Sequence, residues 1–176
     1  MRKILRNRLA LSTVITTLII LVVSVLLAGV VTYFAINVVS TRVQQESLQL
    51  TFAHVWVSPT GTTQAAVLVK NTGGRDVVIS KIEVRGIEGT FGTNVYTTVA
   101  ATDPAALDAT GIAGLTATTA ATPITLASGS AIQVYITDPT SVSINDIGTT
   151  IGITIFSAQA MYYQETNVQA TTVALP

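Results

Sequence analysis

LALSTVITTLIILVVSVLLAGVVTYFAINVV, residues 9–39, decides the architecture of this 176-residue chain. Neither a charged residue nor a proline interrupts the sequence between Arg8 and Arg42. A hydrocarbon layer about 30 Å thick is crossed by roughly twenty apolar residues in a helix, and this run is longer. Its Ser and Thr residues fit the same reading, because a helical hydroxyl bonds back to a carbonyl one turn earlier. Asn37, near the far end, is the single amide in the run. The segment can sit in lipid.

Upstream, MRKILRNRLA is a short positive leader carrying Arg2, Lys3, Arg6 and Arg8. The positive-inside rule keeps it cytoplasmic and places the C-terminus outside. Downstream lie about 130 residues, enough for one domain with its own core. They are rich in Thr, Val, Ile, Ala and Gly, which suit strands and turns. Cysteine is absent, so no disulfide supports the fold and stability must come from packing and assembly. Beyond the leader, five basic residues stand against nine acidic ones, a net side-chain charge of −4. That balance leaves no basic patch, and nucleic acid is not an expected partner.

Three fates are open to such an N-terminus. A secretory signal is cut after the apolar region at small residues, but the best match, Leu26-Leu27-Ala28, starts with too large a residue. A signal anchor stays uncut. A third class is cut ahead of the apolar run and keeps the whole helix on the mature protein.

Arg8-Leu9-Ala10-Leu11-Ser12-Thr13 carries a resemblance to this third class. A basic leader, a small residue and then Leu-Ser opening an apolar helix resembles the class III signal of archaeal type IV pilins. The resemblance covers about residues 6–50. It implies a prepilin peptidase cutting between Ala10 and Leu11, with residues 1–10 removed. Bacterial members usually carry a glutamate five residues into the mature chain; here that position is Ile15, as is common in the archaeal branch.

From Leu11 to about Leu50 there is no proline and only one glycine, Gly29. Forty helical residues make a rod of roughly 60 Å, about twice a membrane's thickness. The first two-thirds are apolar all round, which asks for burial on every side. After that Ile36, Val39, Val43 and Leu50 recur at helical spacing while Ser40, Arg42, Gln45 and Glu46 fall elsewhere. We therefore expect a helix over 11–48 whose last part lays one stripe on the following domain. The resemblance implies that this helix is membrane-held first and becomes the filament core afterwards. The gain on assembly then comes from packing, since lipid is as apolar as a neighbouring helix. Leu18, Leu21, Val25, Ala28, Gly29, Tyr33 and Ile36 are the expected packing positions, with Ala28 and Gly29 as points of close approach.

The remainder, 49–176, reads as strands, giving an α+β chain in which a long apolar helix precedes an all-β, immunoglobulin-like sandwich. QLTFAHVWV (49–57) has apolar residues on both faces, and TQAAVLVK (63–70) follows a Pro59-Thr60-Gly61 turn. Asn71-Thr72-Gly73-Gly74 signals a turn, because Asn and Gly tolerate positive φ. In DVVISKIEVRG (76–86) Ile82 and Val84 are expected inside, and Lys81, Glu83 and Arg85 outside. The hairpin VLVKNTGGRDVVISKIEVRG (67–86) resembles one found in archaeal pilin and archaellin outer domains. TFGTNVYTTVA (90–100), SAIQVYITD (130–138), TTIGITIF (149–156) and AMYYQETNV (160–168) complete the strands. Thr102 to Thr125, rich in Ala and Thr, reads as a long surface loop with a short helix placed at residues 104–107. A loop of that length is either functional or a misread pair of strands.

Chemistry is sparse. With one His and no Cys, thiol catalysis and Cys-based zinc sites are excluded. His54, between Ala53 and Val55, is read as a packed or partly exposed strand residue rather than a ligand or base. There is no G-x-S-x-G elbow, P-loop or G-x-G-x-x-G. Asp103, Asp108, Asp138 and Asp146 are scattered loop acids that match no EF-hand spacing. Trp56, Tyr96, Tyr135, Tyr162 and Tyr163 are expected in core or subunit packing rather than on an adhesive surface. No N-x-S/T sequon occurs; the many threonines leave O-glycosylation open. No enzyme activity, cofactor or metal is expected.

Two functional classes remain. One is a pilin: a homopolymer whose helices bundle as a filament core, displayed outside the cell for adhesion or cell contact. The resemblance then implies a prepilin peptidase, an assembly ATPase and a membrane platform protein as partners, with membrane anchoring before assembly. The other is a single-pass anchored β-sandwich that binds a ligand and never polymerises. An archaellin, the subunit of a rotary filament, shares the plan of leader and helix; the absence of a Gly/Ala-rich helix start favours a non-rotary pilus.

Overall fold

The computed structural model describes residues 2–43, 45–119 and 123–176; the side chains of 2–10 and of 42 and 43 lie outside the description. The chain divides into two compact units, residues 1–43 and 44–176, each considered by itself.

The first unit is one helix, α1 (Arg2–Val43). It runs unbroken because Gly29 alone interrupts a series of helix-compatible side chains, and its backbone is already helical through the leader. The expected helix over 11–48 is corrected at its end. Val43 closes α1, and β1 (Leu48–Val57) begins five residues later, so Leu50 belongs to a strand. The carbonyls that would continue the helix are taken elsewhere. Ser47 O accepts from Thr72 N at 2.9 Å and Gly73 N at 3.1 Å, and Gln45 O accepts from Gly74 N at 3.3 Å. From Leu48 onward the apolar period is two rather than 3.6.

The second unit is a curled sheet formed by β1, β2 (Thr63–Asn71), β3 (Val77–Val84), β4 (Ile87–Glu88), β5 (Val95–Thr98), β6 (Thr116–Ala117), β7 (Ile124–Leu126), β8 (Ala131–Thr137), β9 (Thr150–Ser157) and β10 (Met161–Ala170). Strand order is β4-β3-β9-β10-β1-β2-β8-β5-β6, with β7 beside β3. The architecture is therefore a helix followed by a sandwich-like β domain. Its two layers are continuous through β10, which pairs antiparallel with β9 over 161–167 and parallel with β1 over 168–170. Inward side chains from both layers form one core, including Val55, Val67, Ile79, Ile82, Val134, Ile153 and Ile155. The outermost strands, β4 and β6, are two residues each.

Turn chemistry follows the sequence where φ demands it. Arg85 (φ 49°) and Gly86 (φ 79°) form the two-residue link that pairs Val84 with Ile87, both in the left-handed region that such hairpins need. At Asn71–Gly74 the reason differs from the expected one. Neither Gly73 nor Gly74 has positive φ. Gly73 is required because a Cβ there would lie 2.6 Å from Gln45 O and 2.7 Å from Ser47 N. Asn71, fully buried, organises the turn: its Nδ2 donates to Arg75 O (2.8 Å) and Leu126 O (3.0 Å), and its Oδ1 accepts from Gly73 N (2.9 Å).

Two other expectations are corrected. Only Val95–Thr98 of 90–100 is strand; the Thr90 carbonyl accepts from the Thr93 and Asn94 amides and turns the chain before it. The segment from Thr102 to Thr125 is not a plain loop. It holds α2 (Ala109–Ala113), β6 and the start of β7, while its residues 120–122 lie outside the described residues. The helical turn begins after residues 104–107 rather than within them, because Asp108 caps it by accepting from Gly111 N at 2.8 Å.

That segment covers the outer face of the sheet. Trp56, Ala66, Tyr135, Ile112 and Leu175 form a second apolar cluster there, flanked by Leu107 and Leu115. Two buried glutamines hold the overlay in place. Gln64 bonds both to the amide and to the carbonyl of Leu107, and Gln133 Nε2 donates to Thr102 O at 2.7 Å.

Candidate functional site

The candidate site is the surface of α1. Over Leu11–Thr41, 31 residues, the helix is apolar enough to cross a membrane and no part of it is buried. Leu18, Leu21, Val25, Tyr33 and Ile36 are each more than 60% exposed, as large side chains of a folded chain rarely are. At 100° per residue, these five together with Ala28 and Gly29 spread over an arc of about 140°. They share one broad face, although apolar side chains such as Val14, Leu27 and Val31 cover the rest. Around Gly29 the space is open: apart from the adjoining helix backbone, nothing lies within 4 Å of where a Cβ would sit.

Hydroxyls along this surface are neutralised locally. Thr16 donates to Ser12 O, Thr17 to Val14 O, Ser24 to Leu21 O, Thr32 to Ala28 O and Thr41 to Asn37 O, all at 2.8–2.9 Å. Each therefore enters an apolar medium with its proton already bonded. The surface suits lipid or other helices equally, because it presents hydrocarbon with few unmet donors. Leu11 is an exposed helical residue of this surface. The side chains of Ala10 and of the leader charges Arg2, Lys3, Arg6 and Arg8 lie outside the described residues; their backbone is helical.

The other polar candidates serve the β domain. His54 Nε2 lies 2.8 Å from Asp103 Oδ1, and its ring stacks on Trp56 with centroids 5.1 Å apart and planes at 14°. The pair ties β1 to the overlay. Asp108 caps α2, and Asp138 sits at φ 45° with its amide donating to Thr63 O. Asp146 accepts from Ser143 Oγ and N (both 2.8 Å) and from Arg85 Nη1 (2.7 Å). Those donors, Ser143 first and then Arg85, hold its carboxyl below the usual carboxylate range. The four acids are thus spread over separate tasks, and among the described residues no three His, Asp or Glu side chains converge on a metal position.

Of the aromatic residues, Trp56 and Tyr135 are buried, and burial pushes the Tyr135 phenol above its ordinary pKa. Tyr96 packs against the outer cluster and Tyr162 against the main core. Tyr163, exposed, lies over Gly152 on the neighbouring strand. An open groove of about 450 Å³, lined by Thr51, Leu68, Lys70, Val99 and Ala131 among others, gathers methyls and hydroxyls around a single lysine. Gln64 and Gln133 are not singled out by the sequence, and Asn71 is marked by it only as part of a turn. The unbroken buried run Ala65–Val69 was the available signal, since a strand apolar on both faces must be covered on both.

No family model matches the chain, and no curated protein matches it in sequence.

Proposed function

We propose that the chain is the structural subunit of an extracellular filament of the archaeal type IV pilus kind. Its leader is removed between Ala10 and Leu11, α1 holds it in the membrane, and α1 then leaves lipid to join a core made of identical helices. The β domains form the sheath, and the filament serves adhesion or cell contact. A prepilin peptidase, an assembly ATPase and a membrane platform protein are the partners this requires.

The observation that carries the reading is a mismatch of lengths. The exposed apolar helix Leu11–Thr41 is 31 residues long. At 1.5 Å per residue it measures about 46 Å, some 16 Å more than a hydrocarbon core. Absorbing that by tilt alone needs about 50°, beyond the usual range of roughly 0–40°. A lone anchor has no use for the surplus. A helix destined for a bundle of its own copies needs apolar surface along its whole length.

The test is the N-terminus and intact mass of protein sheared from the cell surface. A start at Leu11 in material that pellets as filaments supports the proposal. An intact leader found only in the membrane fraction overturns it in favour of an anchored binding domain.

A further inference from the structure

Asn37 differs from every hydroxyl discussed above. Its carbonyl is engaged by Thr41, but among the described residues its side-chain amide has no hydrogen-bond partner. A span of about 21 residues from Leu11 fills the hydrocarbon layer and ends near Val31. Asn37 then lies about 9 Å beyond, hydrated while the chain is membrane-held. Inside a bundle it loses that water, and an unmet amide in apolar surroundings is costly.

Donor and acceptor counts say what can meet it. Thr16, Thr17, Ser24 and Thr32 have each committed their proton to their own backbone. What remains on each is a lone pair, so these four positions offer acceptors and no donor. Asn37 supplies two N–H donors. Among the described residues the single chain offers them no partner, and a second copy can. Asn37 also lies within an arc of about 80° that contains Gly29, Tyr33 and Ser40, so the amide and the open glycine share a face. A small residue admitting a close backbone and a polar side chain acting as glue are the two features that join helices in apolar media.

We infer that Asn37 fixes the axial register between neighbouring copies by donating to a hydroxyl of the adjacent helix. This rests on the filament reading above. Thr32 is the nearest of these four self-bonded hydroxyls, five residues below and about 140° round the helix. That placement suits a head-to-tail contact in which one copy's Asn37 side meets the other copy's Thr32 side. A buried amide of this kind selects one register at some expense of stability, as a single Asn does in coiled coils.

The experiment uses filaments of the full chain and of Asn37→Leu, Asn37→Gln and Thr32→Val, imaged for helical symmetry and heated to disassembly. Asn37→Leu filaments are expected to sort into more than one symmetry and to disassemble at a higher temperature than the parent. Loss of filaments in Asn37→Leu with filaments kept in Asn37→Gln carries the same meaning. The same mixed symmetry in Thr32→Val identifies Thr32 as the acceptor; mixed symmetry in Asn37→Leu alone keeps the register role and assigns another hydroxyl. One unchanged symmetry in Asn37→Leu overturns the inference, as does loss of filaments in both Asn37 variants. Absence of filaments from the unsubstituted chain sinks the filament reading itself.

Discussion

Gln64 and Leu107, 43 residues apart, close a two-way hydrogen bond: Leu107 N donates to Gln64 Oε1 at 2.9 Å, and Gln64 Nε2 donates to Leu107 O at 3.1 Å. The amide side chain thus reads a backbone as a neighbouring strand would, from a fully buried position. Gln64→Leu leaves the Leu107 amide and carbonyl unmet beneath the overlay. Each buried unmet group costs about 1–3 kcal/mol, so a loss of about 2–4 kcal/mol is expected in urea unfolding of the β domain. A change below about 0.5 kcal/mol would show that the overlay is held by its apolar contacts alone.

Glycine substitutions should separate two kinds of crowding. A Cβ at Gly73 meets backbone at 2.6 and 2.7 Å, and backbone cannot swing aside. A Cβ at Gly152 would overlap the Tyr163 ring, but that side chain is exposed and can move. Gly73→Ala is expected to lower the thermal midpoint of the β domain by many degrees, and Gly152→Ala only slightly. Equal shifts in thermal melts would contradict this assignment.

Acid stability should depend on Asp146. Its carboxyl is held below the ordinary value in the folded chain, so the folded form binds its proton less readily than the unfolded one. The contribution is present above the unfolded pKa, near 4, and is lost as pH falls through the lower folded value. Asp146→Asn should therefore lower the melting temperature at pH 7 and bring parent and variant together near pH 2. A constant gap across that window would place the effect in packing rather than charge.

Processing gives a direct readout of the leader. Ala10→Asp is expected to block cleavage, leaving a chain heavier by residues 1–10 and no filaments on the cell. Neutralising Arg2, Lys3, Arg6 and Arg8 together should also prevent maturation, by weakening the orientation that keeps the leader cytoplasmic. Normal filaments from the Ala10→Asp chain would remove the pilin reading.

Much of this architecture is legible in the chain because its signals are local. The apolar run shows itself by length, and strands β1, β2, β3, β8, β9 and β10 by alternation or by two-sided apolarity between turns. The end of the helix is not legible, because Val43 and Leu50 are seven apart and satisfy a helical period even though a strand begins between them. Just past its end, the carbonyls of Gln45 and Ser47 are held by the 72–74 turn, some 27 residues away in sequence. The overlay escaped for a related reason. Its anchors are glutamines, which look like solvent-facing strand residues until the segment above them is in place. Of the candidate site, the apolar surface is legible directly in its side chains, whereas the contrast between the Asn37 amide and the back-bonded hydroxyls of Thr32 and Thr41 is a matter of hydrogen bonding that residue types alone do not show.

The position of β1 has a mechanical consequence. The chain leaves α1, passes through 44–47 and enters the sheet at Leu48, so any pull on the helix reaches the β domain through this strand. It is no edge strand: β2 flanks it along eight registered pairs and β10 along three at its far end. Traction along the strand must therefore shear many ladder bonds together, whereas an edge strand could be peeled one bond at a time. A subunit dragged by its helix would give way elsewhere before β1 slid out.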